Sequence, residues 1–233
     1  MGRIASFHLV RERPWRGAAA LARLATDRPR LARVDGLAWT RLLGTGRGSV
    51  TTPGADLRRT ALFAVWQSEE ALDEFLATHP LARRWNAAEE AYSVRLRSLG
   101  GHGSWGGHDV LDGITPGDGA GAVAVLTRAV VRRARWRTFA RATHPVDAAL
   151  HRADGLLAVC GIGEAPIGRQ ATFSLWRSWA AASAFAYAGE AHRDVVGRTR
   201  AEGWYGEELF ARFEPYGSTG TWGGVDPLRP GAT

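Results

Sequence analysis

Seven histidines, one cysteine and a few arginines inside apolar segments are the residues of this chain with chemistry to offer. His192 has the most pointed setting. Phe185, Ala188, Gly189, His192, Val195, Val196 and Thr199 recur at i, i+3, i+4, i+7 spacing, the core-facing stripe of an amphipathic helix. The histidine therefore points inward, among residues small enough to leave space beside the helix. A ligand to a metal and a core histidine bonded to a backbone carbonyl both fit that pattern. Arg128 is the second candidate, since it shares a strand face with Leu126 and Val130. A buried arginine there needs an anion, which is either a bound group or a salt-bridge partner at the strand end.

The other candidates are weaker. His102 and His108 lie in glycine-rich loops, His79 and His144 each precede a proline, and all four read as solvated turn residues. His151 is placed near the end of a short helix, where a cation suits the carbonyl end of the dipole. His8, on an apolar strand, reads as packed core or pocket lining. Cys160 stands alone in an apolar segment, which points to packing. A single cysteine excludes a disulfide framework and any multi-cysteine metal site. The run Gly44-Thr45-Gly46-Arg47-Gly48 lacks the Lys-Ser/Thr pair that cradles phosphate, and no HExxH or C-x-x-C is present.

The elements that must position these residues come in two copies. At an offset of 110, Ala61/Ala171, Phe63/Phe173, Trp66/Trp176, Ser68/Ser178, Ala71/Ala181 and Phe75/Phe185 coincide. At an offset of 117, Glu90/Glu207, Arg95/Arg212, Gly100/Gly217, Gly103/Gly220, Trp105/Trp222, Gly106/Gly223 and Gly107/Gly224 coincide. Repeats at a near-constant offset mean two units of one design. Each unit reads strand–helix–strand–strand–helix–strand, the ferredoxin-like split βαβ. Strands are expected at 4–10, 37–43, 60–66 and 92–98, then at 122–131, 156–162, 170–176 and 209–215. Helices are expected at about 15–26 and 145–153, with longer ones from the N-caps Ser68 and Ser178 to about 90 and 205. The fold class is α+β: two tandem ferredoxin-like repeats packed as an intrachain dimeric α+β barrel. Its domains are 1–107, a Gly-rich linker 108–121, a second repeat 122–224 that would hold the cofactor, and a tail 225–233. His192 has Ala82 as its counterpart, so whatever it does belongs to the second repeat alone.

Composition bounds the function. Hydrophobic residues at 45% and ten tryptophans exclude a disordered chain. The formal charge is +7, yet every basic residue is an arginine and most lie near acids, so no nucleic-acid partner is expected. The longest apolar runs, 122–126 and 179–188, fall short of a membrane span, so no integral membrane contact is expected. The N-terminus has no apolar signal core, and the expected location is cytoplasmic.

Several segments carry a resemblance. Val125–Ala129, Gly161–Pro166, Gln170–Trp176, Glu202–Phe213 and Gly220–Gly224 of the second repeat, with Trp39–Gly48, Ala61–Trp66 and Trp105–Gly107 of the first, resemble the spheroidene monooxygenase family. That resemblance implies a heme b oxygenase that introduces a keto group into an acyclic carotenoid. It also implies kinship with heme proteins of the dimeric α+β-barrel superfamily, whose iron is bound by a histidine on the second helix of the C-terminal unit. His192 falls on that helix and becomes the expected iron ligand. Phe173, Ser174, Phe185 and Val196 are expected to line the heme, and Arg128 to serve on its distal side. The stretch 132–152 follows the family poorly, which bears on the substrate. The expected partners are a small hydrophobic substrate, dioxygen or peroxide, and an external electron donor, with homo-oligomerisation left open. Alternatives are another heme chemistry at the same site (peroxidase-like, or dehydratase-like at an N–O bond), a heme carrier or sensor, and a heme-free binding barrel.

Overall fold

A computed structural model describes residues 2–46, 48, 54–135, 138, 146–164, 169–188 and 205–229. The alternating apolar segments form eight strands: β1 (Ile4–Arg11), β2 (Leu37–Gly46), β3 (Ala55–Trp66), β4 (Glu90–Gly103), β5 (Val123–Val131), β6 (Leu156–Gly163), β7 (Arg169–Trp176) and β8 (Tyr205–Gly220). Within each half the four strands pair antiparallel in the order 4-1-3-2 of a ferredoxin-like unit. The halves join along both edges, β4 to β8 and β2 to β6, and the sheet closes into one barrel. Every strand thereby gains a neighbour on both sides, although β2 and β6 meet over two residue pairs only, Gly44–Gly163 and Thr45–Ile162.

Among the described residues, α1 (Gly17–Leu31), α2 (Glu69–Thr78), α3 (Pro80–Trp85) and α4 (Trp179–Ala188) lie outside the barrel, and residues 146–150, within the helix expected at 145–153, are helical as well. Ser68 and Ser178 cap as expected, their Oγ atoms accepting from the Ala71 and Ala181 amides at 3.3 and 3.2 Å. The single long helix expected after Ser68 is instead two. Proline drives the residue before it out of the helical region, so His79 is extended and ends α2. Its Nδ1 then accepts the Leu81 amide at 3.2 Å, making this histidine the cap of α3 rather than a solvated turn residue. No helix among the described residues is long and apolar enough to cross a membrane.

Side chains alternate between two environments. The barrel interior is filled by Phe7, Phe63, Phe173 and Phe213 with aliphatic neighbours from all eight strands. Phe7 and Phe173, one from each half, stack with centroids 3.8 Å apart. Trp105 and Trp222 cover opposite ends of this core, the first packing on Phe63 and the second on Phe7. Each belongs to a Trp-Gly-Gly turn held by the other half. Glu207 Oε1 accepts from Ser104 Oγ and the Gly107 amide, both at 2.9 Å. Glu90 Oε1 accepts from Thr221 Oγ1 at 3.1 Å and the Gly224 amide at 2.7 Å. Just before these turns, Gly103 and Gly220 have φ of +92° and +80°, and a Cβ would sit 2.1 and 2.0 Å from the carbonyls of Glu208 and Ala91. Glycine is required at both places by conformation and by space.

Candidate functional site

The outward faces of the two four-stranded units are built from matching positions with different contents. Ile4 opposes Trp66 as Val123 opposes Trp176, so His8 of β1 occupies the place of Thr127 on β5. In the first unit this face is sealed. His8 is 1% exposed, lies between Ser6 Oγ at 2.8 Å and Ser93 Oγ at 2.7 Å, and packs on Trp85 with centroids 4.8 Å apart. Burial, with the nearby Arg95 charge, pushes its pKa down to about 3, so it is a neutral core histidine. Trp66, Phe75, Leu72 and Leu81 complete the cluster.

Among the described residues the second unit carries a cluster under α4: Val123, Val125, Leu150, Trp176 and Ala182, with Phe185, Trp179 and Phe210 packed against it. Here Thr127 is exposed, and Thr172 and Phe210 are half-buried. Phe185 lies 5.6 Å from Trp176, and Trp179 meets Phe210 edge-on at 6.5 Å with the Arg212 guanidinium over its ring at 4.6 Å. Ser174 Oγ accepts from Trp176 Nε1 at 2.9 Å and donates to the Val125 carbonyl at 3.4 Å. The helix itself is rich in alanine (Ala180, Ala181, Ala182, Ala184), which keeps its surface low. Among the described residues this is an apolar, aromatic-walled face on which Thr127 is exposed where the first unit buries a histidine.

A second polar cluster lies inside one barrel end. Arg128 alternates with Leu126 and Ala124 on the interior face, and its side chain is 3% exposed. It donates to Glu207 at 2.6 Å and to Glu164 at 3.2 Å, with its guanidinium over Trp105 at 5.2 Å. Glu164 also pairs with Arg41 of the first half at 2.9 Å, and Arg41 lies over Trp39. Burial raises the Glu207 carboxyl, but donors from Gly107, Arg128 and Ser104 outweigh it and hold the pKa at about 2. Glu207 therefore stays charged, and the cluster ties one repeat to the other. At the opposite end the matching interior positions hold Leu9 and Cys160.

No protein-family model matches the chain. It is 35% identical over 192 residues to the spheroidene monooxygenase of Rubrivivax gelatinosus, covering 81% of this chain and 73% of that protein. It is 33% identical over 191 residues to the spheroidene monooxygenase of Rhodobacter capsulatus, covering 81% and 79%. The chain belongs to the spheroidene monooxygenase family. The Cereibacter sphaeroides member is 32% identical over 190 residues, and the match spans 59% of its length and 81% of this chain. Among solved structures, an aldoxime dehydratase in complex with butyraldoxime has a TM-score of 0.62 at 10% identity, over 92% of this chain and 79% of that one. A second aldoxime dehydratase has a TM-score of 0.55 at 11% identity, over 91% and 81%. These two likenesses concern the fold.

Placed on this family member, the expected site residues divide between two faces. Ser174 lies on the outward face of β7, and Phe185 packs down onto that face from α4. Phe173 and Arg128 lie on the interior face, Phe173 stacked on Phe7 and Arg128 on its two carboxylates. One group under α4 cannot touch all four, because successive strand residues point to opposite sides of the sheet. Arg128 pairs here with the carboxylates of Glu207 and Glu164. His192 and Val196 lie outside the described residues, as does His144. His151 is exposed and its Nδ1 lies 2.9 Å from the Asp147 carbonyl. Glu164 and Glu207 were missed by the sequence reading. Both lie in segments that carry the resemblance, Gly161–Pro166 and Glu202–Phe213, and Glu207 also matches Glu90 in the repeat, but none of these signals names a partner for either.

Proposed function

We propose that this chain is a heme-dependent monooxygenase acting on a hydrophobic, carotenoid-like substrate at the outward face of its second repeat. Its 33–35% identity to spheroidene monooxygenases over most of both chains carries the reading. The described residues suit a flat apolar group there. Val125, Trp176, Ala182 and Phe185 give apolar contact, alanines keep the helix low, and among the described residues Thr127 is exposed where the first repeat buries His8. His192, four residues past Ala188 in the sequence, is the proposed iron ligand, and Val196 is proposed to line the same group. Heme, when bound, would supply the iron centre that activates dioxygen, with electrons from an external donor.

The chain's own side chains have simpler work. Trp176 and Phe185 keep water from the apolar face, and Ser174 holds the Trp176 indole in place. Arg128 acts at a distance from this face, by closing the barrel.

Reconstitution with hemin tests the cofactor. A Soret band and about one heme per chain by pyridine hemochrome are expected, both lost in His192→Ala with the fold intact by circular dichroism. A colourless wild-type protein refutes the heme reading. Turnover of an acyclic carotenoid with isotopically labelled dioxygen and a reductant should place label in the product. Label-free product formed with peroxide alone would assign a different heme chemistry.

A further inference from the structure

The three exposed large apolar side chains among the described residues gather at one end of the barrel. Trp15 is 73% exposed, Leu57 55% and Val225 52%. The segment carrying Trp15 lies along the start of β3: the Glu12 amide donates to the Arg58 carbonyl at 2.7 Å, and Arg58 Nε donates to the Glu12 carbonyl at 3.1 Å. Leu57 is the next residue. Val225 follows the turn whose Gly224 amide is held by Glu90, and Glu90 pairs with Arg11 at the end of β1. The opposite end, where Arg128 and its partners lie, contributes none of the three.

Charge surrounds these side chains. Arg11, Arg58 and Arg59, with Asp56, line a cavity of about 330 Å³ at this end. Arg58 pairs with Glu89, Arg11 with Glu90, and Arg59 with Asp56, so these three cations are compensated. Arg13 and Arg16 are not. Both are exposed, they flank Trp15, and among the described residues neither meets a carboxylate. An exposed tryptophan between uncompensated arginines suits a surface that is apolar just beneath a layer of negative charge. Two copies of this patch would instead set like charges against each other.

We propose that this end of the barrel docks on an anionic lipid bilayer, with Trp15 and Leu57 entering the interface and Arg13 and Arg16 meeting anionic headgroups. Docking is peripheral. It stands on this surface alone and does not depend on heme or on turnover, although it would bring the protein to where a hydrocarbon substrate dissolves.

Vesicle sedimentation of the full chain without added heme tests it. Binding should be stronger to vesicles containing phosphatidylglycerol than to pure phosphatidylcholine, and should weaken as salt rises. Arg13→Glu and Arg16→Glu should each lower the partition coefficient by about fivefold or more. Trp15→Ala should lower it roughly tenfold. Arg3→Glu makes the same charge change at the other end of β1 and should leave binding unchanged. Melting curves confirm that each variant is folded. Equal binding to both vesicle types, or an Arg3→Glu loss as large as that of Arg13→Glu, overturns the proposal. So does a dimer in sedimentation velocity that disappears in Trp15→Ala, because the patch would then be a self-association face.

Discussion

Replacing Arg128 by methionine keeps the length of the side chain and removes the cation shared by Glu207 and Glu164. Breaking a buried ion pair by deleting one partner costs roughly 3–5 kcal/mol, mostly from the charge left behind. Two features reduce that cost here. Glu207 keeps its bonds from Ser104 and Gly107 and Glu164 keeps Arg41, and both carboxylates retain some solvent contact, at 23% and 15% of the side chain. The expected loss at neutral pH is therefore about 2–3 kcal/mol. In a chain of this size that lowers the melting temperature by roughly 5–10 °C. The pH dependence sharpens the test. The Glu207 carboxyl is held at about 2 in the folded protein against an ordinary 4.5, so its contribution is present above pH 4.5 and fades as pH falls toward 2. Without Arg128 the carboxyl moves back toward its ordinary range, and less of that contribution remains to be lost. The gap between wild type and Arg128→Met should accordingly narrow as the pH is lowered from 4.5 to 3. Urea unfolding at pH 7, 4.5 and 3 measures it. A gap under about 1 kcal/mol at pH 7 would show that the cluster does not tie the repeats together, as would a gap unchanged by acid.

Two further outcomes follow from the core. Because burial, then Arg95, holds the His8 pKa near 3, the unfolded chain takes up a proton between pH 6.5 and 3 that the folded one refuses. Stability should fall as pH drops through that window, by up to about 1.4 kcal/mol per unit from this residue, and His8→Gln should show a shallower slope in the same urea titration. Cys160 is fully buried and its thiol is pushed up to about 12 by burial, so a maleimide should label it in denaturant and leave the native protein unmodified at pH 8. Rapid native labelling would mean that the barrel opens near β6.

Much of the architecture is written locally. The alternation in 4–10, 60–66 and 170–176 marks strands because neighbours two apart must share a face, and Ser68 and Ser178 mark helix starts because a side-chain oxygen there satisfies an amide three residues on. The repeat was legible in Trp66/Trp176 and Trp105/Trp222, and the family in the tryptophan- and glycine-bearing segments around them. Alternation could also have separated Phe173 from Ser174, since adjacent strand residues face opposite ways.

What alternation cannot say is which of the two faces is the barrel interior. That depends on how the halves meet, and the pairings of β4 with β8 and β2 with β6 are long-range. Arg128 illustrates the point. Its apolar neighbours showed that it needed an anion, yet Glu164 and Glu207 are 36 and 79 residues away and converge on it only when the barrel closes. Glu90 and Glu207 likewise aligned as repeat partners, while their task, holding the other half's Trp-Gly-Gly turn, appears only across the seam. The contrast between a sealed His8 and an exposed Thr127 is of the same kind, because burial is a property of what packs above a strand. Periodicity and capping act over a few residues and can be read along the chain, whereas partners, faces and burial are set by contacts between distant segments.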